Sequence, residues 1–431
     1  MVTFLQAKPY LLLLLAAPLA WSGCASPEPG TTRLSATPIG YPASPYAREI
    51  SQVDHQEDIP VFVVSGRNLD PSKGKVDPFG NDRIDSPLPT LGIARVSIGE
   101  GMTSEEITEE TVVANGKRGK ARLKLEKVEL VSLPEANLHA LSEEGIARHD
   151  NPWLRELDQV LSQSDVRRVT IYVHGYNSEF ITNTELAAIV PHFHARNGAM
   201  ITFDWPSRGQ LAGYFVDKGN ASASTRQFRA LIMVLAREVR AEEINIVAHS
   251  AGNPIVVNAL KEIRLVQRHL TPEQLQQRYK INAVKLAAPD MDMQAFINAV
   301  YDGFHHVAKS VAVYVSSEDK ALDLSSFLYR SERLGRAAAY LDGWERDTLA
   351  GVENLQMIDV TSAEAHSSDK SGHSYFHRNP WVSNDMALFA LNLTPEQRLL
   401  ERDEREIFWV FPENYGELVS RSWSSPQGLA P

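Results

Sequence analysis

Short, almost continuous apolar runs recur between residues 151 and 391, and segments with helical spacing separate them. Such runs are typical of strands covered on both faces, and strands that alternate with helices predict a parallel sheet flanked by helices. The strands predicted in this way are Val169–Val173, Met200–Phe203, Ile244–Val247, Ile281–Leu286, Val311–Val315 and Leu355–Val360. The predicted helices include Ala251–Ile263 and Ser224–Arg240, the latter with Ser224 as N-cap and Gln227 in the capping-box position.

The residues before 151 follow a different pattern, and a small β-rich N-terminal region is predicted over residues 58–150. Ala121–Leu130 alternates apolar and polar side chains, which is typical of a half-buried strand. Ile59–Val64 and Leu91–Ile98 are shorter strand candidates. Residues 24–57 are rich in Pro, Ser, Thr and Gly and lack periodicity, so a flexible tether is predicted there.

The first 23 residues have the features of a signal peptide. Lys8 precedes an apolar run, Tyr10–Ala20, which is too short to span a bilayer but long enough for the core of a signal peptide. Trp21-Ser22-Gly23-Cys24 then resembles the lipobox of bacterial lipoproteins, in which the cysteine is lipidated; Trp21 departs from it, because an aliphatic residue is usual there. We therefore expect a lipid anchor on Cys24 that holds the protein in the bacterial cell envelope, at the periplasmic face of the outer membrane. The alternative is a plain secretory signal and a soluble secreted or periplasmic protein.

Composition and charge narrow the function classes. The 431 residues are 43% hydrophobic and 23% charged, which is ordinary for a globular protein with one main domain, here 151–391, and smaller additions, among them a C-terminal extension over 392–431. The net charge of −11, without a segregated basic patch, argues against a nucleic-acid partner. Cys24 is the only cysteine, so the body of the protein has no disulfide, no cysteine-based metal site and no thiol nucleophile.

A candidate nucleophile follows the strand Ile244–Val247. The chain continues as Ala248-His249-Ser250-Ala251-Gly252, a small-x-Ser-x-Gly sequence that leads from a strand directly into a helix. Small residues are needed there because the turn is sharp, and large side chains would clash with neighbouring backbone. This arrangement predicts that the Ser250 hydroxyl projects above the carboxyl end of the sheet, with the positive end of a helix dipole behind it.

A serine hydroxyl needs a base and an acid to become nucleophilic, and in this kind of site they follow in the order Ser, acid, His. Asp319 is the preferred acid because it lies in the loop after Val311–Val315, two strands beyond the nucleophile. Asp290 and Asp292, which follow the strand ending at Leu286, are the rivals.

The candidate histidines lie in the polar loop after the last predicted strand. This loop contains His366, His373 and His377, and position alone does not choose among them. His373 is favoured because glycine and small residues flank it, which would let the loop bring the imidazole over the sheet.

Two backbone N–H groups are candidates for an oxyanion hole. One belongs to Ala251, immediately after the nucleophile, and the other to Tyr176, after the strand Val169–Val173. His174 and Gly175 lead into Tyr176, and Gly175 would permit a close backbone approach. His174 and Gly175, together with His249 and Gly252 in the nucleophile turn, are predicted to support the site.

The order and spacing of these motifs resemble a group of bacterial α/β hydrolases of unknown function, often labelled esterase/lipase-superfamily proteins. The likeness runs from about Ile59 to Leu391 and includes Val173–Asn177, Phe203–Ser207, Ala248–Gly252, Ala287–Asp292, Ser317–Leu322, Arg333–Gly335 and His373–Tyr375. It implies an α/β-hydrolase fold, with a mostly parallel doubly wound sheet, and it favours His373 and Asp319. Two departures are Ala251, where the family more often has methionine, and Ser65-Gly66-Arg67 after the first strand.

Taken together, these features predict a serine hydrolase that cleaves small-molecule or lipid-like carboxylic esters without a metal or organic cofactor. The same residues would serve an acyltransferase, a thioesterase or a peptidase, and a non-catalytic envelope-anchored binding or scaffold protein on this fold is the alternative of another class. Trp205–Asn220, rich in glycine and aromatic residues, is a candidate wall or lid of the acyl pocket, or else a packed surface loop.

Overall fold

A computed structural model describes residues 28–86, 88–113, 118–131, 151–207, 214–341 and 343–423. The predicted signal peptide, Cys24 and the first residues of the predicted tether therefore lie outside the described residues. The strands are β1 (Thr32–Arg33), β2 (Ile59–Ser65), β3 (Arg67–Leu69), β4 (Phe79–Arg83), β5 (Thr90–Ile98), β6 (Arg122–Val131), β7 (Arg168–Val173), β8 (Ala199–Asp204), β9 (Glu243–His249), β10 (Ile281–Ala287), β11 (Ala308–Val315), β12 (Leu355–Asp359), β13 (Glu401–Arg402) and β14 (Phe408–Val410).

The helices lie mostly between these strands. They are α1 (Pro45–Glu49), α2 (Ser104–Val112), α3 (Pro152–Ser162), α4 (Phe180–Ala187), α5 (Ile189–Phe193), α6 (Tyr214–Glu238), α7 (Asn253–Val266), α8 (Pro272–Tyr279), α9 (Met293–Tyr301), α10 (Lys320–Tyr329), α11 (Ala337–Tyr340), α12 (Gly343–Ala350), α13 (Tyr375–Arg378), α14 (Pro380–Phe389) and α15 (Tyr415–Trp423). Within the described ranges, no helix has both the length and the apolar character needed to cross a membrane.

One large sheet organises the fold. The described residues form a 12-stranded sheet in the order β1-β6-β5-β2-β8-β7-β9-β10-β11-β12-β14-β13. Every neighbouring pair from β2 to β14 in this order is parallel, whereas β1, β5, β6 and β13 pair antiparallel at the two edges. The predicted mostly parallel α/β sheet is confirmed, and the N-terminal strands extend this sheet directly.

Helices cover both faces of the sheet. Successive side chains of a strand point to opposite faces, so Ile171 of β7 packs with α3, α6 and α7, while its neighbour Tyr172 packs with α4, α5 and α14. Since both faces are buried, the central strands are apolar throughout, as the sequence pattern predicted.

The strand order reverses between β7 and β9. From β7 the chain crosses to β8 on one side, and it then returns to β9 on the other side of β7. Loops at the carboxyl ends of strands that flank such a reversal diverge and leave a crevice, where ligands bind in open α/β sheets. The loops after β7 and β9 carry His174-Gly175 and Ser250, respectively.

The prediction of a flexible tether is wrong for residues 28–57. β1 pairs with β6, and a short helix, α1, begins at the N-cap Ser44, whose side chain accepts a hydrogen bond from the Ala47 N–H. Leu34, Tyr41 and Ile50 are buried in the core. Isolated apolar residues without periodicity thus pack against a surface that the rest of the chain provides.

The predicted N-cap Ser224 is also wrong. α6 begins at Tyr214, ten positions before Ser224, and the Ser224 hydroxyl lies inside the helix, where it donates a hydrogen bond to the Asn220 carbonyl (2.9 Å). Inside a helix, a serine hydroxyl can donate a hydrogen bond to the carbonyl four residues earlier. A capping-box sequence within a long helix can therefore wrongly predict a helix start.

Candidate active site

Ser250 occupies a strained turn between β9 and α7. Its φ is +50°, a left-handed conformation that few residues other than glycine adopt, and Ser250 to Gly252 form one 3-10 turn before the helix begins at Asn253. Strain of this kind persists only where the surrounding structure enforces it, and it is characteristic of a nucleophile elbow.

Two glycines allow the turn to lie against the loop after β7. A Cβ on Gly175 would lie 2.9 Å from both the Ser250 Cβ and the His249 Nδ1, closer than real Cβ atoms come. A Cβ on Gly252 would lie 2.9 Å from the Val173 carbonyl oxygen. Both positions therefore require glycine: a side chain at Gly175 would collide with the side chains of the nucleophile turn, and one at Gly252 would collide with the backbone at the end of β7.

Hydrogen bonds to one carbonyl brace the nucleophile turn from the opposite side. Asn253 Nδ2 donates to the Ser250 carbonyl (2.8 Å) and to the Ala287 carbonyl at the end of β10 (3.1 Å). The Asp290 N–H donates to the same Ser250 carbonyl (3.2 Å). The serine is thus held between the loops that follow β7, β9 and β10.

The structure brings Ser250, His373 and Asp319 together. His373 Nε2 lies 3.0 Å from Ser250 Oγ, and His373 Nδ1 lies 2.7 Å from Asp319 Oδ2. Because an ionised carboxylate only accepts hydrogen bonds, Nδ1 carries the proton, and the bare Nε2 accepts from the serine hydroxyl.

Nearby carboxylates make the His373 imidazole a stronger base than a free histidine. Desolvation lowers the pKa of His373, but the Asp319 carboxylate, together with Asp290 and Asp369, outweighs burial and raises that pKa above its usual value. A basic imidazole next to a serine hydroxyl can remove the hydroxyl proton and stabilise the resulting charge.

Asp319 has a second role as a helix cap. It is fully buried, and its Oδ1 accepts a hydrogen bond from the Leu322 N–H (2.9 Å) at the start of α10. One oxygen therefore fixes the carboxylate to the helix while the other faces His373.

The rival acids have other partners. Asp292 is the N-cap of α9, where it accepts from the Ala295 N–H (3.0 Å). Asp290 accepts from Ser325 Oγ (2.7 Å) and forms an ion pair with Arg333 (3.2 Å).

The rival histidines lie in other surroundings. His366 stacks on Trp381 with ring centroids 3.8 Å apart. His377 is in a desolvated position that lowers its pKa to about 3. Neither ring has a hydrogen bond to Ser250 or to Asp319 among the described contacts.

Asp369 shapes the loop that carries His373. Its carboxylate accepts hydrogen bonds from the backbone N–H groups of Ser371 (3.2 Å), His373 (2.9 Å) and Ser374 (2.6 Å). Gly372 adopts a positive φ of 67° inside this turn. Sequence reasoning missed Asp369, although a carboxylate a few residues before a Ser-Gly step is a recognisable turn signal.

His249 supports the same loop from below. Its Nε2 donates to the His373 carbonyl (2.9 Å), and its ring packs against Phe376 with centroids 4.7 Å apart. Burial lowers the pKa of His249 well below its usual value, so the ring is a neutral donor.

The loop after β7 rests on a buried charged cluster. His174 stacks on Trp205, whose Nε1 donates to the His174 carbonyl (2.8 Å). His174 Nε2 lies 3.3 Å from Asp204 Oδ1, and Asp204 pairs with Arg67 at 3.0 Å. Burial raises the pKa of Asp204, but Arg67, His174 and Ser65 together outweigh burial and lower that pKa to about 2, so the carboxylate is ionised.

The candidate oxyanion donors lie on the two loops that touch. Ala251 follows Ser250 in the 3-10 turn, and Tyr176 follows Gly175, the residue whose α-carbon faces Ser250. Asn177, next along, has a positive φ of 54°, and its N–H donates to Ser207 Oγ (2.9 Å). The oxyanion role of both N–H groups stays a prediction.

The ends of the segment Trp205–Asn220 are packed against the domain. Trp205, Ser207 and Asp217 are buried, and α6 begins at Tyr214. Residues 208–213 of this predicted wall or lid are outside the described residues.

Residues 152–390, more than half of the chain, match the family described as alpha/beta hydrolases of unknown function (DUF900). The chain belongs to this family. The resemblance to α/β hydrolases seen in the sequence motifs is thereby confirmed, and so is the fold class. The DUF900 description names no substrate.

Solved structures similar to this DUF900 protein include two esterases. Esterase B from Lactobacillus rhamnosis is 11% identical over 62% of this chain and 81% of its own, with a TM-score of 0.30. An esterase from the fungus Rhizomucor miehei is 11% identical over 54% of this chain and 75% of its own, also with a TM-score of 0.30. No curated protein matches the chain. Likeness at this level carries no argument about function.

Within the part of this DUF900 chain that the structure describes, no group of three or more His, Cys, Asp and Glu side chains is arranged to hold a metal ion.

Replacing Arg67 with methionine is expected to destabilise the protein by about 3–5 kcal/mol, because Asp204 would remain buried without its cation. Arg67 also donates to the Ser178 carbonyl (2.8 Å) and the Ser207 carbonyl (3.0 Å), which would lose these partners. Urea unfolding measures the change. The matched control is Arg95→Met, since the Arg95–Glu156 pair is partly exposed and is expected to contribute about 0–1 kcal/mol. Equal changes in the two variants would contradict the account.

Proposed function

We propose that this protein is a serine hydrolase that cleaves carboxylic esters through an acyl-enzyme intermediate. The observation that carries the proposal is the continuous hydrogen-bonded chain from Ser250 Oγ through His373 to Asp319. It is supported by the positive φ of Ser250 and by the position of all three groups beyond the carboxyl ends of parallel strands.

In the first half of the reaction, Ser250 Oγ attacks the ester carbonyl carbon while its proton moves to His373 Nε2. The carbonyl oxygen becomes an oxyanion, for which the N–H groups of Ala251 and Tyr176 are the proposed donors. When the intermediate collapses, the C–O bond to the alcohol breaks, and His373 returns the proton to the leaving alkoxide.

In the second half, water takes the place of the alcohol. His373 Nε2 removes a proton from the water while the water oxygen attacks the acyl carbonyl carbon. When this second intermediate collapses, the bond to Ser250 Oγ breaks, the carboxylic acid leaves, and His373 returns the proton to Ser250 Oγ. Asp319 holds the imidazole in the tautomer with a bare Nε2 and stabilises the imidazolium that forms in each half.

The test is hydrolysis of p-nitrophenyl esters of graded acyl length by the purified protein without residues 1–23. We expect turnover with a burst of p-nitrophenol and an acyl adduct on the intact protein by mass spectrometry. Assays with an acyl-thioester, an anilide and a competing alcohol distinguish a thioesterase, a peptidase and an acyltransferase from an esterase. A folded protein that turns over none of these substrates would contradict the proposal.

The activity is expected to rise with pH through a single ionisation. His373 must be neutral to act as a base, and Asp319 raises the pKa of His373 above the usual value of 6.5. The acid limb of kcat/KM should therefore have its midpoint above about pH 6.5. Profiles from pH 5 to 9 measure it, and a midpoint clearly below that of free histidine would contradict this assignment.

A further inference from the structure

A cavity lies on the face of the sheet that α4, α5 and α14 cover, and neither Ser250 nor His373 lines it. Its volume is about 130 Å³, and its walls are mainly apolar. Tyr172 and Val247 form the sheet side, Phe193 and Met386 belong to the helices, and Ala36 comes from the N-terminal segment. An apolar cavity of roughly 150 Å³ takes up a molecule of about the size of benzene, so this one suits a small organic body.

A buried lysine is among the residues that line this apolar space. Lys285 of β10 lines the cavity and is 7% exposed, and its Nζ donates to the carbonyl of another lining residue, Met386 (3.2 Å). Among the described residues, no carboxylate lies within ion-pair distance of Lys285 Nζ. Burial and the nearby Arg168 lower the pKa of Lys285 to about 8, so the group is still mostly charged at neutral pH.

The nearest carboxylates already have cations of their own. Glu243 pairs with Arg168, and Asp385 accepts from Arg398 (2.5 Å) and from the Tyr314 hydroxyl (2.8 Å). Lys285 is therefore the cation in excess in this part of the core, and a buried charge without a counter-charge is costly. An anion that enters the cavity would supply that counter-charge.

Further polar atoms on the cavity wall lack protein partners. Ser35 is buried, and its Oγ has no hydrogen-bond partner among the described residues. The same holds for Ser383 Oγ and His377 Nδ1. All three residues line the same cavity as Lys285. Buried polar atoms are ordinarily satisfied, so these atoms leave hydrogen-bonding capacity beside the cavity. All three are closed off from its surface, and a ligand group would reach the serine hydroxyls after a change of side-chain rotamer.

The cavity is separated from the catalytic groups by aromatic side chains. Phe376 lines the cavity and packs against His249 (4.7 Å between centroids) and Tyr172 (6.0 Å). Neither Ser250, His373 nor Asp319 is among the lining residues. A ligand in the cavity is therefore distinct from an ester at Ser250.

We propose that this cavity binds a small monocarboxylate with an apolar body, and that the carboxylate pairs with Lys285 Nζ. The apolar walls would hold the hydrocarbon part, and the hydroxyls of Ser35 and Ser383 would donate to the carboxylate oxygens. Binding at this site does not depend on the proposed hydrolase activity.

Titration calorimetry with hexanoate and with the neutral hexanamide tests the proposal at pH 7, in the wild type and in Lys285→Met. Hexanoate is expected to bind the wild type. Lys285→Met should lower the affinity for hexanoate by about tenfold or more, because a charge-assisted hydrogen bond is lost. The affinity for hexanamide should differ little between the wild type and Lys285→Met. Lys309→Met is the matched control, since Lys309 lies on the neighbouring strand β11 and is exposed.

Two further variants locate the ligand. Ser250→Ala should bind hexanoate as the wild type does. Ala387 lies at an exposed position on the rim of the cavity. Ala387→Trp should lower the affinity for both hexanoate and hexanamide, because the larger side chain obstructs the cavity. Thermal unfolding checks that each variant is folded. No binding to the wild type, equal binding to Lys285→Met, or loss of binding in Ser250→Ala would each overturn the proposal.

Discussion

Replacing Ser250 with alanine is expected to lower kcat/KM for ester hydrolysis by a factor on the order of 10³ to 10⁶. The variant is expected to keep the turn, and it removes the atom that we propose forms the covalent bond with the acyl group. Since Ser250 Oγ and His373 Nε2 are 3.0 Å apart, the loss removes the whole nucleophilic route. Steady-state kinetics with p-nitrophenyl esters measure it.

The control for this result is a serine outside the site. Ser310 on β11 donates its hydroxyl to the Asn282 carbonyl (3.2 Å) and lies far along the strand from its carboxyl end. Ser310→Ala should retain activity near that of the wild type. Residual activity in Ser250→Ala at the level of Ser310→Ala would mean that another group is the nucleophile.

Replacing Asp319 with asparagine is expected to lower kcat/KM by a factor of about 10⁴, because the amide favours the wrong imidazole tautomer. Asparagine is as good an N-cap as aspartate, so the hydrogen bond from the Leu322 N–H and hence the start of α10 should persist. The acid limb of the pH profile should also move to lower pH, since the charge that raises the pKa of His373 is gone.

Asp292→Asn is the matched control for Asp319→Asn. Asp292 is likewise the aspartate N-cap of a helix, with a hydrogen bond from the Ala295 N–H (3.0 Å), and the same atom is exchanged. It should leave kcat/KM almost unchanged, and the melting temperatures of both variants should stay close to that of the wild type. Equal losses of activity in the two variants would show that Asp319 acts only as a cap.

Much of the sheet could be predicted because its signals are local. Each parallel strand from β7 to β12 is a short buried run, and the predicted bounds differ from those observed by at most a few residues. The signal for the nucleophile turn is local as well, since the small residues that it requires, Ala248 and Gly252, lie within one stretch of five residues. The structure then brings His373 and Asp319 to Ser250, while their catalytic roles stay predictions.

What could not be predicted depends on contacts between distant segments. The N-terminal residues Leu34 and Tyr41 belong to a core cluster that also contains residues of α5, α14, β5 and β6, so their burial depends on segments that come later in the chain. Nothing local in the sequence distinguishes Arg67 from a surface arginine. Its burial follows from the ion pair with Asp204, which lies far along the chain. Lys285 lies in an apolar strand, and nothing in the sequence indicates the cavity that this residue lines.

Labelling with a fluorophosphonate probe, followed by peptide mapping, tests directly whether Ser250 is an activated nucleophile. These reagents react with serines that an adjacent base activates. We expect one stoichiometric adduct on Ser250, which is absent in Ser250→Ala and forms much more slowly in His373→Ala. A folded wild-type protein that takes up no label, or takes it up on another serine, would contradict this expectation.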